Sequence, residues 1–81
     1  MAIDLWSSPV ELRHEDGDHS RCIRNSREAV AYLKTGWPAA HDATYAHAMR
    51  ECLSALNNGR GSKEAREAFI AAAANAKLLN Q

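Results

Sequence analysis

Five side chains able to bind a metal ion, His14, Glu15, Asp16, Asp18 and His19, fall close together in this 81-residue chain. Imidazole and carboxylate in combination suit zinc, nickel or manganese. Their spacing matches no calcium loop, which places ligands at alternate positions and closes on a glutamate. Asp16-Gly17 sits among them as a turn dipeptide, so a polar hairpin tip in water is the simpler reading and no metal site is assigned. His41 and His47 are six residues apart and fall on different faces of a helix, whereas His47 and Glu51, four apart, read as a surface pair. Cys52 lies in an apolar stripe and reads as a small core residue. A cysteine nucleophile would need a base within reach and surroundings that favour the thiolate; neither accompanies Cys52, while Cys22, turned away from the helices, is left open. With no nucleophile, base and orienting group to assemble, no catalytic residue is assigned. The chain reads as non-enzymatic and without a cofactor.

The remaining chemistry is positive charge at the start of a helix. Arg21, Arg24 and Arg27 surround the backbone N–H groups of Asn25 and Ser26, a combination that can hold an anion. The competing reading is a solvated edge whose arginines pair with Glu28 or with the hairpin acids. Gly59-Arg60-Gly61 also precedes a helix, but lacks the Lys-Ser/Thr ending of a phosphate-binding loop.

The elements that would position these residues follow from periodicity. Residues 9–24 alternate as a β-hairpin, with Val10 and Leu12 inward and Glu11 and Arg13 outward. In the returning strand Ile23 is expected inward for its size and β-propensity, which turns Cys22 to the other face. A first helix is predicted over about 26–35, with Asn25 as N-cap and Glu28 three residues on completing a capping box. Gly36 is expected as a left-handed stop, with Trp37 folded back on Tyr32 and Pro38 preventing continuation. A second helix over about 42–57 starts at Asp42 and carries Tyr45, Met49, Cys52, Leu53 and Leu56 on one face. A third over about 62–79 is capped by Ser62, with Glu64 in its first turn. Ala65, Phe69, Ala72, Ala73 and Ala76 form its stripe, and short loops make helices two and three an antiparallel pair. The expectation is one α+β domain over 1–81, in the order β-β-α-α-α.

Composition narrows the setting. The apolar fraction is 46%, but sixteen of those residues are alanine, so the core rests on few large side chains. Trp6, Leu12, Tyr32, Leu33, Trp37, Met49, Leu53, Leu56 and Phe69 are the expected anchors. A chain this short buries only about 60% of its unfolded surface, so a partner's surface would help it. Ten basic and ten acidic residues cancel, which gives no long-range pull toward nucleic acid or an anionic membrane. The N-terminal residues show no secretory pattern and no stretch is long enough to span a bilayer. Two cysteines make no disulfide framework, so a cytoplasmic protein with reduced thiols is expected.

Trp6, Pro9-Val10, Ile23, Ser26, Glu28-Ala29, Leu33 and Trp37-Pro38, followed by Tyr45, Ala48, Cys52 and Ala55-Leu56, form a recognisable layout. The closing run Ala65-Arg66-x-x-Phe69-Ile70-x-Ala72-Ala73-x-x-Ala76 is its most specific part. Together these residues resemble a family of short proteins of unknown function from rhizobia and related alphaproteobacteria, over roughly residues 6–77. The resemblance implies no activity, cofactor or catalytic residue. Most of its positions are those already assigned to packing and capping; Arg66, Pro9 and Pro38 are the departures.

The reading that follows is an accessory domain acting by protein–protein contact with an unknown partner. Self-association as a homodimer is included, because neither edge of a two-stranded hairpin is strongly blocked in the sequence. The alternative is an anion, small-ligand or nucleic-acid binding module built on Arg21, Arg24 and Arg27.

Overall fold

The computed structural model describes residues 6, 8–12, 21–38, 40–58 and 61–79. The element order is the expected one: strands β1 (Val10–Leu12) and β2 (Arg21–Ile23), then helices α1 (Ser26–Thr35), α2 (Ala43–Asn58) and α3 (Ser62–Asn75). The strands pair antiparallel, with Val10 opposite Ile23, Glu11 opposite Cys22 and Leu12 opposite Arg21. Val10, Leu12 and Ile23 are buried while Glu11 and Cys22 are exposed, so the pleat faces the way the side chains indicated. The hairpin tip with its histidines and acids lies outside the described residues.

α1 begins as its sequence dictates. Asn25 is the N-cap, and its side-chain oxygen accepts from the Glu28 N–H at 2.8 Å. The Glu28 carboxylate reaches back to accept from the Arg24 N–H at 2.8 Å, one residue beyond the N-cap of a standard capping box. The stop differs from expectation. Gly36 has φ −125°, not a left-handed conformation. Its value lies in space: a Cβ there would stand 3.1 Å from Cδ1 of the Tyr32 ring. Trp37 does fold back on Tyr32, their rings meeting edge-on with centroids 5.8 Å apart.

Asp42 caps α2, accepting from the Tyr45 N–H at 3.1 Å and from the Thr44 hydroxyl at 2.7 Å. Ser62 does not cap α3. Gly61 occupies that position at φ +92°, a left-handed conformation that glycine adopts freely, and Ser62 is the first helical residue. α3 also ends at Asn75, four residues before the predicted end. Lys77 takes φ +61°. The Lys77 N–H donates to the Ala74 carbonyl at 3.1 Å and the Leu78 N–H to the Ala73 carbonyl at 2.8 Å. This is a Schellman stop with lysine where glycine is usual. The turn sends Leu78 into the core and sets Leu79 beside Leu12 as an isolated antiparallel bridge. Nothing in the sequence marks it, since neither glycine nor proline is present there.

α2 and α3 run antiparallel. The Asn75 side-chain amide at the end of α3 donates to Asp42 at 2.9 Å, and farther along the Cys52 thiol lies 3.9 Å from the Ala65 carbonyl. All five aromatic residues of the chain join one cluster around Phe69, which is fully buried. Trp6 packs at 5.6 Å, Trp37 at 6.1 Å and Tyr32 at 6.5 Å from it, centroid to centroid, and Tyr45 meets Trp37 at 5.8 Å. Long-range joints tie the segments to this cluster. The Trp6 indole donates to buried Ser26 at 3.2 Å, the Tyr45 hydroxyl to the Leu33 carbonyl at 2.7 Å, and Arg66 holds the Ser8 carbonyl and hydroxyl at 2.9 and 2.8 Å.

Candidate functional site

The three arginines of the proposed anion site occupy different positions around the start of α1. Arg21 sits in β2 opposite Leu12, and its guanidinium carbon lies 5.2 Å from the centre of the Tyr32 ring. A cation over an aromatic face is attracted by the ring's quadrupole, so Arg21 already has a partner. Burial pushes the Tyr32 hydroxyl above its ordinary value, and the nearby Arg21 charge partly offsets that shift. Arg24 and Arg27 are exposed, on either side of the Asn25–Ser26 junction. Two N–H groups in this region, those of Arg24 and Glu28, are engaged by Glu28 and Asn25 side chains.

Both cysteines are free thiols. Cys52 is fully buried against α3 and Cys22 is exposed opposite Glu11. His47 faces Arg50, with Nδ1 3.5 Å from the guanidinium, in place of the predicted Glu51. His41 stacks flat on Tyr45, centroids 4.1 Å apart and planes within 1°. Among the described residues no three His, Cys, Asp or Glu side chains gather in a way that could hold a metal ion. No helix in them is long and apolar enough to cross a membrane.

What sequence reasoning missed lies on α2. Met49, Leu53 and Leu56 were expected as core anchors. α2 buries Ala48, Ala55 and, as expected, Cys52; Met49 and Leu56 are half-buried and pack against the core with Tyr45, and it is Leu53 that departs, 36% exposed. Residues four apart stand above one another on a helix, so Tyr45, Met49 and Leu53 form a line along one side. They line a shallow, open depression of about 640 Å³ together with Ala46, Arg50, Ser54, Asn57 and Asn58. The signal was present in the sequence: the small and the large apolar residues of α2 together span an arc too wide for one contact. The small ones permit close approach to α3, which leaves Leu53 on the flank.

A family model described as "Protein of unknown function (DUF982)" matches residues 8–80. The chain belongs to this family. No curated protein and no solved structure matches it. The DUF982 match covers both strands, all three helices and the Schellman turn, and it names no activity. Several residues that carried the resemblance prove to be joints of the fold. Trp6 and Ser26 bond each other, Tyr45 ties α2 to α1, and Arg66 ties α3 to the segment before β1.

Proposed function

We propose that this DUF982 domain acts by protein–protein contact rather than catalysis, and that the Tyr45–Met49–Leu53 side of α2 is the contacting surface. The observation behind this reading is the exposed Leu53 beside half-buried Met49 and Tyr45, on a helix whose buried face is already filled by Ala48, Cys52 and Ala55. Apolar side chains left in a line on a helix bury efficiently against the apolar side of another helix. The sixteen residues of α2 carry only two charges, Arg50 and Glu51, and only Arg50 borders the depression. The matching partner is therefore an apolar helical stripe with an acidic residue at its margin to meet Arg50. A homodimer through this side would set Arg50 near its own copy, which favours a different protein. The free thiols Cys22 and Cys52 support a reducing, cytoplasmic setting, and the resemblance of the closing run supports an alphaproteobacterial one. The anion-binding alternative on Arg21, Arg24 and Arg27 has less behind it, because the Arg24 and Glu28 N–H groups at that helix start are engaged by the Glu28 and Asn25 side chains.

Leu53→Glu tests the proposal. The substitution should leave the fold and its melting intact, since Leu53 is exposed, and should abolish retention of a partner that the unmodified chain captures from native lysate. The amide shifts caused by that partner should map to Tyr45, Met49 and Leu53. Capture unaffected by Leu53→Glu, or shifts confined to Arg24 and Arg27, would overturn the assignment of this surface. A dimer in sedimentation that Leu53→Glu dissociates would replace the foreign partner with a second copy.

A further inference from the structure

The hairpin was expected to leave both edges open, yet part of the β1 edge is occupied by the chain itself. Leu12 pairs with Arg21 on one side and with Leu79 on the other. It has no exposed surface at all. Leu79 reaches this place because α3 stops at Asn75, about one turn before its predicted end, with Lys77 held at φ +61°. Side chains with a Cβ seldom adopt that conformation. It is maintained here by the two Schellman hydrogen bonds and by Leu78, which the turn buries.

We infer that Lys77–Leu79 is an edge guard: an intramolecular strap that occupies the position a strand of a second copy would take beside β1. The guard is independent of the α2 surface, which lies on another element. A second copy is the natural competitor, because its own Leu12 would present to Leu12 the same side chain, in the same antiparallel sense, that Leu79 now presents. Exposed strand edges template pairing with other chains, and covering the edge with another segment is one established way of preventing it. Displacing the strap therefore exchanges one leucine pair within the chain for one between chains, and gains the backbone pairing of the neighbouring residues.

Two variants test the guard. Lys77→Pro fixes φ near the usual −65° and removes the N–H that bonds Ala74, so the strap can no longer turn back. Leu79→Glu keeps the turn and the buried Leu78 but replaces the apolar side chain that lies beside Leu12 with a charged one. Sedimentation and amide spectra should be recorded from tens to several hundred micromolar. The unmodified chain should show Val10–Leu12 amide positions that do not change with concentration. Either variant, still folded, should form a dimer at tens of micromolar with shifts at Val10–Leu12. A folded variant that stays monomeric at several hundred micromolar overturns the guard. So does an unmodified chain whose Val10–Leu12 amides already shift with concentration. If both variants lose their cooperative melt, the segment is part of the folding core and the guard is equally overturned.

Discussion

α2 and α3 lie against each other and carry apolar residues at the same helical offsets, yet they spend them differently. α3 buries Ala65, Ala68, Phe69, Ala72 and Ala73, the largest of them completely. α2 fully buries only Ala48, Cys52 and Ala55, packs Tyr45, Met49 and Leu56 half-buried at the edge of the core and leaves Leu53 exposed. The difference comes from the seam between them. The Cys52 thiol lies 3.9 Å from the Ala65 backbone carbonyl, an approach that leaves no room for leucine on the α2 side. Phe69, by contrast, projects into the space among Trp6, Tyr32 and Trp37. Close helix packing thus left α2 with an apolar arc whose inner part serves the fold and whose outer margin ends in exposed Leu53.

The largest test of this contrast sets Phe69→Ala against Leu53→Ala. Removing a fully buried ring costs about 3–5 kcal/mol, enough to threaten a domain of this size, whereas exposed Leu53 should change stability by no more than about 0.5 kcal/mol. Chemical denaturation followed by circular dichroism measures both. Similar losses at the two positions would show that α2 and α3 share one core equally. Next in size is Cys52→Leu. Added methylenes in a tight seam cost roughly 1–3 kcal/mol, so a nearly unchanged melt would mean that α2 and α3 are not close-packed there.

The smallest effect concerns the end of the same seam, where Asp42 caps α2 and accepts from Asn75 of α3. Hydrogen bonds from the Thr44 hydroxyl and the Tyr45 N–H hold its carboxyl below the ordinary 3.8. The folded state thus binds this proton more weakly than the unfolded chain does. Its stabilisation is complete above the unfolded value and is lost as pH falls through the lower folded value. The Tm advantage over Asp42→Asn, which keeps an acceptor but no charge, should hold from neutrality down to about pH 4 and shrink below it. An advantage that persists in acid would assign the effect to shape rather than charge.

The hairpin, its inward Ile23, the Asn25–Glu28 cap, the Asp42 cap and the order of elements could be read from the sequence. Each depends on residues close in the chain: alternation, a cap side chain and the N–H three residues on, or a run with a single period. The stop at Gly36 was legible as a place but not as a mechanism, because what a Cβ there would crowd is the ring of Tyr32. Leu53 was legible as apolar and on a helix, but its exposure depended on how near α3 came. Nor could the sequence show that Arg21 would lie over the Tyr32 ring.

The sequence alone therefore determined which segments become strands and helices and in what order, since short-range hydrogen bonding and periodicity carry that information. Only the tertiary structure decided which part of the apolar arc of α2 faces inward, where α3 ends and what covers β1. Those outcomes depend on contacts between residues far apart in the chain, such as Cys52 with Ala65 and Leu12 with Leu79. Packing selects among arrangements that local propensity leaves nearly equal in energy.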